Sequence, residues 1–177
     1  MAIDLGPDGL TLGSTTINDW DDVGGGKLLQ IARVESSTAL SSSNNIPADT
    51  STPTSSEGVQ MLSLSFTPTS ASSDLYLFFT LYGDEDTNAA DSIAYTVFKG
   101  STLIGMGYQA ITGESPNNWN MASFSVKHSP ASTSAQTYSV RGGTNGGTFE
   151  SLNTKLYVNN STYGSNNKNS MTIMEIG

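Results

Sequence analysis

The order of hydrophobic and polar residues along the chain predicts short β-strands. Residues 59–67 (VQMLSLSFT) alternate with a period of two, which is typical of a strand with two different faces. Residues 75–82 (LYLFFTLY) are apolar at nearly every position, which predicts a strand that is buried on both faces. Residues 93–98 and 102–108 flank Lys99-Gly100-Ser101, and this spacing predicts a hairpin.

Further strands are predicted on both sides of these segments, at residues 28–34, 122–126, 137–141, 155–158 and 171–176. A long Ser/Thr/Asn/Pro stretch from about residue 36 to residue 58 predicts a loop. No stretch longer than two turns has helical periodicity. The predicted fold class is therefore all-β, an antiparallel jelly-roll-like β-sandwich with a short N-terminal arm.

Residues 1–26 differ in kind from the rest of the chain. They carry five aspartates around a sparse set of apolar residues, namely Leu10, Leu12, Ile17 and Trp20. Three glycines at 24–26 then separate this segment from the predicted strands. We predict a docking arm at residues 1–26 and a β-sandwich domain at residues 27–177. A frayed tail is the alternative, but a large aromatic residue such as Trp20 is usually buried against something.

Composition and charge exclude several classes of function. Charged residues make up only 13% of the chain and the net charge is -9, so the clustered cations of a nucleic-acid-binding protein are missing. Without any cysteine the chain has no disulfide, thiolate nucleophile or Cys-based zinc site. No run of 18 apolar residues occurs, so we expect no membrane insertion. The start MAIDLGPDGL is not typical of a secretory signal, so we expect synthesis in a cytoplasm.

The sequence indicates no catalytic residue and no cofactor site. The only histidine, His128, lies at a predicted strand end, and the Gly-x-Ser-x-Gly motif of hydrolases is absent. The glutamates are scattered, so spacing does not bring together the two carboxylates that glycoside hydrolysis requires. We predict a protein that is not an enzyme.

The acidic stretch from Asp84 to Asp91 begins like a calcium-binding EF-hand loop. That loop needs glycine at its sixth position and a glutamate at its twelfth, where this chain has Ala89 and Tyr95. No metal site is therefore assigned. An irregular calcium site formed by Asp84, Asp86 and Asp91 stays open, against the simpler interpretation of a solvated acidic loop.

Several stretches resemble virion proteins of tailed phages. Residues 9–20 (GLTLGSTTINDW) look like the opening of small structural proteins of marine and freshwater tailed phages. Residues 62–73, 98–105, 128–138 and 171–176, in this order, resemble the head domain at the tips of phage fibres and in related virion surface proteins. Such domains are similar to the trimeric C1q/TNF-like sandwiches.

This resemblance implies that the last strand runs through the middle of the sheet nearest a threefold axis. One face of residues 171–176 would then pack on the core and the other on two symmetry mates. The implied trimer-interface residues are Met171, Ile173 and Ile176. Neither of the two faces of this segment is polar throughout, which is typical of a strand that is buried on both faces.

Glu175 is the one charged residue in this predicted strand. If its carboxylate is buried, it needs a partner such as Arg141, Lys155 or Lys127. If it is exposed at the rim of the sheet, it needs none. The sequence leaves both alternatives open.

The resemblance implies a non-enzymatic structural protein on the virion surface. We expect a homotrimer whose arm docks on the capsid shell through Leu10, Leu12, Ile17 and Trp20, as a head decoration or fibre. The alternative is a tail-fibre tip that binds a host receptor or glycan through loop aromatics, for which the candidates are Tyr108, Trp119 and Tyr163. A glycan-active enzyme on a sandwich fold is the second alternative.

Overall fold

The computed structural model describes residues 10–12 and 15–17 (backbone only), 26–85, 92–110, 120–152 (Asn120 as backbone only) and 167–177. Its strands are β1 (Leu10–Leu12), β2 (Thr15–Ile17), β3 (Leu28–Ser36), β4 (Leu40–Ser42), β5 (Val59–Phe66), β6 (Asp74–Glu85), β7 (Ser92–Lys99), β8 (Thr102–Ala110), β9 (Asn120–His128), β10 (Gln136–Thr144), β11 (Phe149–Ser151) and β12 (Asn169–Ile176). All strand pairs are antiparallel, and the described residues contain no helix. The all-β prediction is confirmed.

The eight long strands form two sheets with a jelly-roll connection. The sheet that contains β12, called here the β12 sheet, has the order β3–β12–β6–β9, and the β7 sheet has the order β5–β10–β7–β8. If only the eight long strands are numbered, from 1 to 8 along the chain, the two sheets have the orders 1–8–3–6 and 2–7–4–5. This is the arrangement of a jelly roll. The short strands β11 and β4 extend the β12 sheet next to the end of β6.

Alternate side chains of the two sheets fill the core between them. From β6, the core receives Leu75, Leu77, Phe79 and Leu81, which are all buried. Phe79 stacks on Phe124 of β9 with ring centroids 4.8 Å apart. Because side chains alternate between the two faces of a strand, the residues between these core positions must face outward. The core thus determines which residues of the β12 sheet form its outer face.

Two features of the sandwich differ from the sequence prediction. The strand β4 lies in the stretch 36–58 that the sequence predicts as a loop, and it pairs with β11. Met61 belongs to the buried core although strict alternation places it with the exposed Ser63 and Ser65. Val140 and Arg141 of β10 pair with Leu62 and Gln60, so Met61 is an extra residue, a β-bulge in β5, which changes the alternation there. Neither a three-residue strand nor a bulge can be detected from periodicity.

The two sheets approach each other closely where Gly107 of β8 faces Phe124 of β9. A Cβ atom at Gly107 would lie 2.6 Å from two ring atoms of Phe124, and stacking on Phe79 holds this ring in place. We expect Gly107→Ala to lower the free energy of unfolding by about 1–3 kcal/mol in urea denaturation, as overpacked cores do. Ser125→Ala, at an exposed position of β9, is the control, with an expected change below about 0.5 kcal/mol. Equal stability of the two variants would contradict the prediction.

Candidate functional site

The outward side chains of the β12 sheet form a contiguous apolar surface. The register places Ile31 of β3, Met174 of β12 and Tyr76 of β6 side by side across three strands. Phe78 lies two residues after Tyr76 on β6, and Ile176 lies two residues after Met174 on β12. Ile31 is 59% exposed and Phe78 is 44% exposed. We call Ile31, Tyr76, Phe78, Met174 and Ile176 the outer patch.

Residues 75–82 were predicted to be buried on both faces, and for the single chain this prediction is wrong. The core-facing side chains are buried, but Phe78 on the other face is largely exposed. An exposed face of an antiparallel sheet usually carries polar residues, and a contiguous apolar surface usually marks an interaction site. The apolar character of both faces of residues 75–82 was the signal that could have identified this surface.

Charged side chains surround the outer patch. Arg33 of β3 pairs with Glu35 at 2.8 Å, and Lys168 pairs with the same carboxylate at 3.0 Å. The hydrogen bonds from Lys168 and Arg33 lower the pKa of Glu35. At the opposite edge Lys127 of β9 pairs with Asp74 at 2.7 Å. Three cations and two carboxylates give this rim a net charge of +1, whereas the whole chain carries -9.

Lys127 and Tyr76 connect this rim to the patch. The Lys127 Nζ atom lies 5.8 Å from the centre of the Tyr76 ring, within the range of a cation–π contact. The hydrogen bond with Asp74 raises the pKa of Lys127, so this cation keeps its charge over the whole neutral range. On β3, Arg33 Nη1 donates to Thr172 Oγ1 of β12 at 2.9 Å. The outer patch is thus apolar in its centre and carries fixed cations at two edges.

The three implied trimer-interface residues do not lie on one face. Met171 and Ile173 are both 0% exposed and belong to the core of the single chain. Their side chains therefore have no surface to offer to another subunit, and these two assignments need correction. Ile176 lies on the outer face with Met174, because the side chains of β12 alternate. A contact through this sheet would use Met174 and Ile176. The homotrimer itself stays a prediction.

Glu175 is fully buried, but its partners are not the predicted cations. Its carboxylate accepts hydrogen bonds from the backbone N–H groups of Thr69 and Ser70, at 2.9 and 3.0 Å. The Ser73 hydroxyl and the Gln30 amide donate to it, each at 2.6 Å. The loop between β5 and β6 and the strand β3 thus satisfy the charge with neutral donors. We call this group of contacts the Glu175 cradle.

The three cations predicted as partners of Glu175 lie elsewhere. Arg141 donates to the carbonyl oxygens of Glu57 and Gly58, and Lys127 pairs with Asp74. Lys155 lies outside the described residues. Burial raises the pKa of Glu175, but the hydrogen bonds of the cradle outweigh burial and lower this pKa from 4.5 to about 2. The carboxylate is therefore charged at neutral pH without a cation.

The predicted docking residues are described only in part. β1 and β2 pair as a hairpin that places Leu10 opposite Ile17, with Leu12 at the end of β1. Trp20 lies outside the described residues. The division into an arm at 1–26 and a sandwich at 27–177, and the docking role of these four residues, stay predictions.

Of the three candidate receptor aromatics, only Tyr108 is described. It was predicted as a loop aromatic but lies within the strand β8, where it is 66% exposed. Met106, two residues earlier on the same face of β8, is also exposed. Trp119 and Tyr163 lie outside the described residues. That the three aromatics form one site stays a prediction.

Among the described residues, none forms a catalytic arrangement with His128. The ring stands edge-on to Tyr138 with centroids 5.9 Å apart, and its Nε2 atom is buried without a hydrogen-bond partner. Burial, together with the nearby charge of Lys99, lowers the pKa of His128. A neutral histidine in this position is typical of a residue that packs at a strand end.

The described carboxylates give no support to a metal or glycosidase site. No group of three or more His, Cys, Asp or Glu side chains that could hold a metal occurs in the described ranges. Asp84 is buried at the end of β6, opposite Glu150 of β11, whereas Asp86 and Asp91 lie outside these ranges. A carboxylate as buried as Asp84 does not reach a polysaccharide at the surface. Among the same residues, no helix is long and apolar enough to cross a membrane.

Comparison with known proteins gives distant structural likenesses. No sequence profile of a known protein family matches the chain, and no curated protein matches it. The C-terminal domain of the sugar-binding protein EclA is similar with 12% identity and a TM-score of 0.37, over 67% of this chain and 76% of that chain. The C-terminal CBM6 of LamC, a marine laminarinase from Zobellia galactanivorans, is similar with 15% identity and a TM-score of 0.34, over 82% of this chain and 99% of that chain. Likenesses this distant carry no inference about function.

Proposed function

We propose that this chain is a non-enzymatic structural protein that assembles with copies of itself through the outer patch. One observation carries the proposal. Ile31 and Phe78 remain 59% and 44% exposed on the outer face of a sheet whose inner face already forms the core. Burial of apolar surface is the main favourable term in most protein association. Covering this surface with another subunit would supply that term.

The finer proposal is a homotrimer on the surface of a tailed-phage virion, as a head decoration or fibre protein. Its support is the resemblance of residues 9–20 and 171–176 to such proteins. The position of β12 between β3 and β6 also supports it, because the resemblance implies a last strand in the middle of its sheet. In this proposal residues 1–26 dock each trimer on the capsid shell.

Phe78→Glu tests the proposal. We expect light scattering to give the wild type a native mass that is a multiple of 18.6 kDa, threefold for a trimer. We expect the variant to be a monomer, because burying an unpaired carboxylate in the contact would cost several kcal/mol. Tyr108→Glu is the control, since Tyr108 is also an exposed aromatic and lies on the other sheet. A monomeric wild type, or a variant that keeps the wild-type mass, would refute the proposal.

A second candidate function is glycan binding by the outer face of β8. It rests on Tyr108, whose ring is 66% exposed beside the exposed Met106. Aromatic rings offer a large apolar face together with a polar tip, which suits the mixed surface of a sugar. In this alternative the chain would be a fibre tip that binds a host-surface glycan.

Tyr108→Ala separates this alternative from the first proposal. If Tyr108 binds glycan, the variant should lose at least tenfold in affinity for a glycan that the wild type binds on an array, with its native mass unchanged. Thr102→Ala, at an exposed position of the same strand, should bind like the wild type. A wild type that binds no glycan on the array would exclude this function.

A further inference from the structure

We infer that the outer patch binds the N-terminal segment, residues 1–26, of another copy of this chain. The inference rests on the proposed self-assembly and names the partner within it. The contact is head-to-tail, between two different surfaces of neighbouring copies, and residues 1–26 then bind a neighbouring copy instead of the capsid shell. Four properties of the chain support this contact. They are the exposure of the patch, the charge of its rim, the composition of the segment and the place where the segment joins the sandwich.

The exposure of the patch argues for a partner from another molecule. Within one copy of the chain, Ile31 and Phe78 keep about half of their surface exposed. The core beneath them is complete, and the strands β3, β12, β6 and β9 are already paired with one another. None of the described residues of the single chain covers the remaining apolar surface, so a partner from another molecule can bury it.

The charges of the two surfaces are complementary. Residues 1–26 contain five aspartates and no lysine or arginine, a net charge of -5. The rim of the outer patch has a net charge of +1 through Arg33, Lys127 and Lys168 against Glu35 and Asp74. Residues 27–177 as a whole carry a net charge of -4, with seven Lys and Arg against eleven Asp and Glu, so the positive rim differs in sign from the sandwich as a whole. Complementary charge steers association and selects the correct partner surface.

The apolar residues of the two surfaces are also complementary. The segment carries the apolar residues Leu10, Leu12, Ile17 and Trp20 between its aspartates. The patch has the same arrangement with the opposite charge, an apolar centre between cationic edges. An acidic segment with spaced apolar residues can therefore bury its apolar side chains on the patch and keep its aspartates beside the cations.

The position of residue 27 allows such an exchange. Lys27 and Gly177 exchange two backbone hydrogen bonds of 2.9 and 3.0 Å, so the segment joins the sandwich beside the end of β12. Ile176 of the patch lies next to this junction. Residues 18–26 join the β1–β2 hairpin to the sandwich, and an extended stretch of nine residues can span about 30 Å, roughly the length of a strand such as β12. A head-to-tail contact of this kind closes into a ring when its rotation allows, and a threefold ring is one such closure.

Engineered cysteines test the contact directly, because the chain has no cysteine of its own. Full-length Thr11→Cys protein carrying a mass tag would be mixed with full-length Ser125→Cys protein and oxidised with diamide. Ser125 is exposed on β9 and lies opposite Phe78 in the register. We expect a mixed disulfide at least five times more abundant than in a mixture with Thr102→Cys, which is exposed on the other sheet.

A mixed disulfide at the yield of the Thr102→Cys control would overturn the inference. So would a double variant, Thr11→Cys with Ser125→Cys, that forms its disulfide only within one chain. Light scattering of the same samples separates this result from failure of the proposed function. Self-assembly through the patch holds if the wild-type mass is a multiple of 18.6 kDa and the Phe78→Glu variant has the mass of a monomer. If the cross-link is absent in that case, only residues 1–26 are excluded as the partner. A monomeric wild type excludes both.

Discussion

Deletion of residues 171–177 is expected to abolish cooperative folding of the chain. These residues form most of β12, which pairs with β3 on one side and with β6 on the other. Their loss would leave β3 without its strand partner and would open one side of β6, which would then pair only with β9 and β11. Backbone groups buried without a partner are costly, so the two remaining parts of the sheet cannot simply stay in place.

The side chains lost in this deletion are as important as the strand pairing. Met171 and Ile173 are fully buried, and each contributes about 1.5–3 kcal/mol. Loss of Glu175 would leave the backbone N–H groups of Thr69 and Ser70 without their acceptor. Together these losses approach the 5–15 kcal/mol by which a typical domain is stable. We expect the truncated chain to show no cooperative urea transition and to bind a hydrophobic dye.

Two point variants show whether the inward face of β12 carries this effect. Ile173→Ala should lower the free energy of unfolding by about 2–4 kcal/mol, because it leaves a cavity in the core. Met174→Ala, the next residue and half-buried on the outer face, should cost less than about 1 kcal/mol in a monomeric sample. A truncated chain that is soluble and unfolds cooperatively would contradict the prediction.

Local patterns were sufficient for most strands, because their information lies in neighbouring residues. The alternation in 59–67 predicted β5, and the apolar run 75–82 predicted the central part of β6. Lys99-Gly100-Ser101 predicted the β7–β8 hairpin, in which Gly100 has a φ of 58° that glycine tolerates. The resemblance also implied that 171–176 lies in the middle of its sheet, and β12 does.

The site depends on contacts between distant parts of the chain, and these leave no local pattern. Which face of β12 points inward was open, because both faces are largely apolar, and Met171 and Ile173 were therefore assigned to the wrong surface. The outer patch appears only when the register sets Ile31, Met174 and Tyr76 side by side. From the sequence, only cations were predicted as partners of Glu175. Its actual partners include neutral donors about a hundred residues away, which no local pattern indicates.

Glu175→Gln is expected to lower the free energy of unfolding by about 2–3 kcal/mol at neutral pH. The carboxylate accepts hydrogen bonds from Thr69, Ser70, Ser73 and Gln30. A glutamine has about the same shape but no charge, and its amide nitrogen would face donors instead of accepting from them. Glu35→Gln is the matched control, since it removes the same charge from an exposed pair and should change the free energy of unfolding far less.

The effect of Glu175 must also disappear in acid, and the sign of this dependence follows from its pKa. The cradle holds the pKa at about 2 in the folded chain, against 4.5 for an ordinary glutamate. The folded state therefore keeps the charged form more strongly than the unfolded state does, and the stabilisation is fully present above about pH 4.5. As the pH falls from about 4.5 to about 2, the unfolded chain takes up a proton first and the stabilisation is lost. Urea denaturation at pH 7, 4 and 2.5 should show the wild type and Glu175→Gln converging. A difference that stays constant over this range would show that the cradle acts through shape and not through charge.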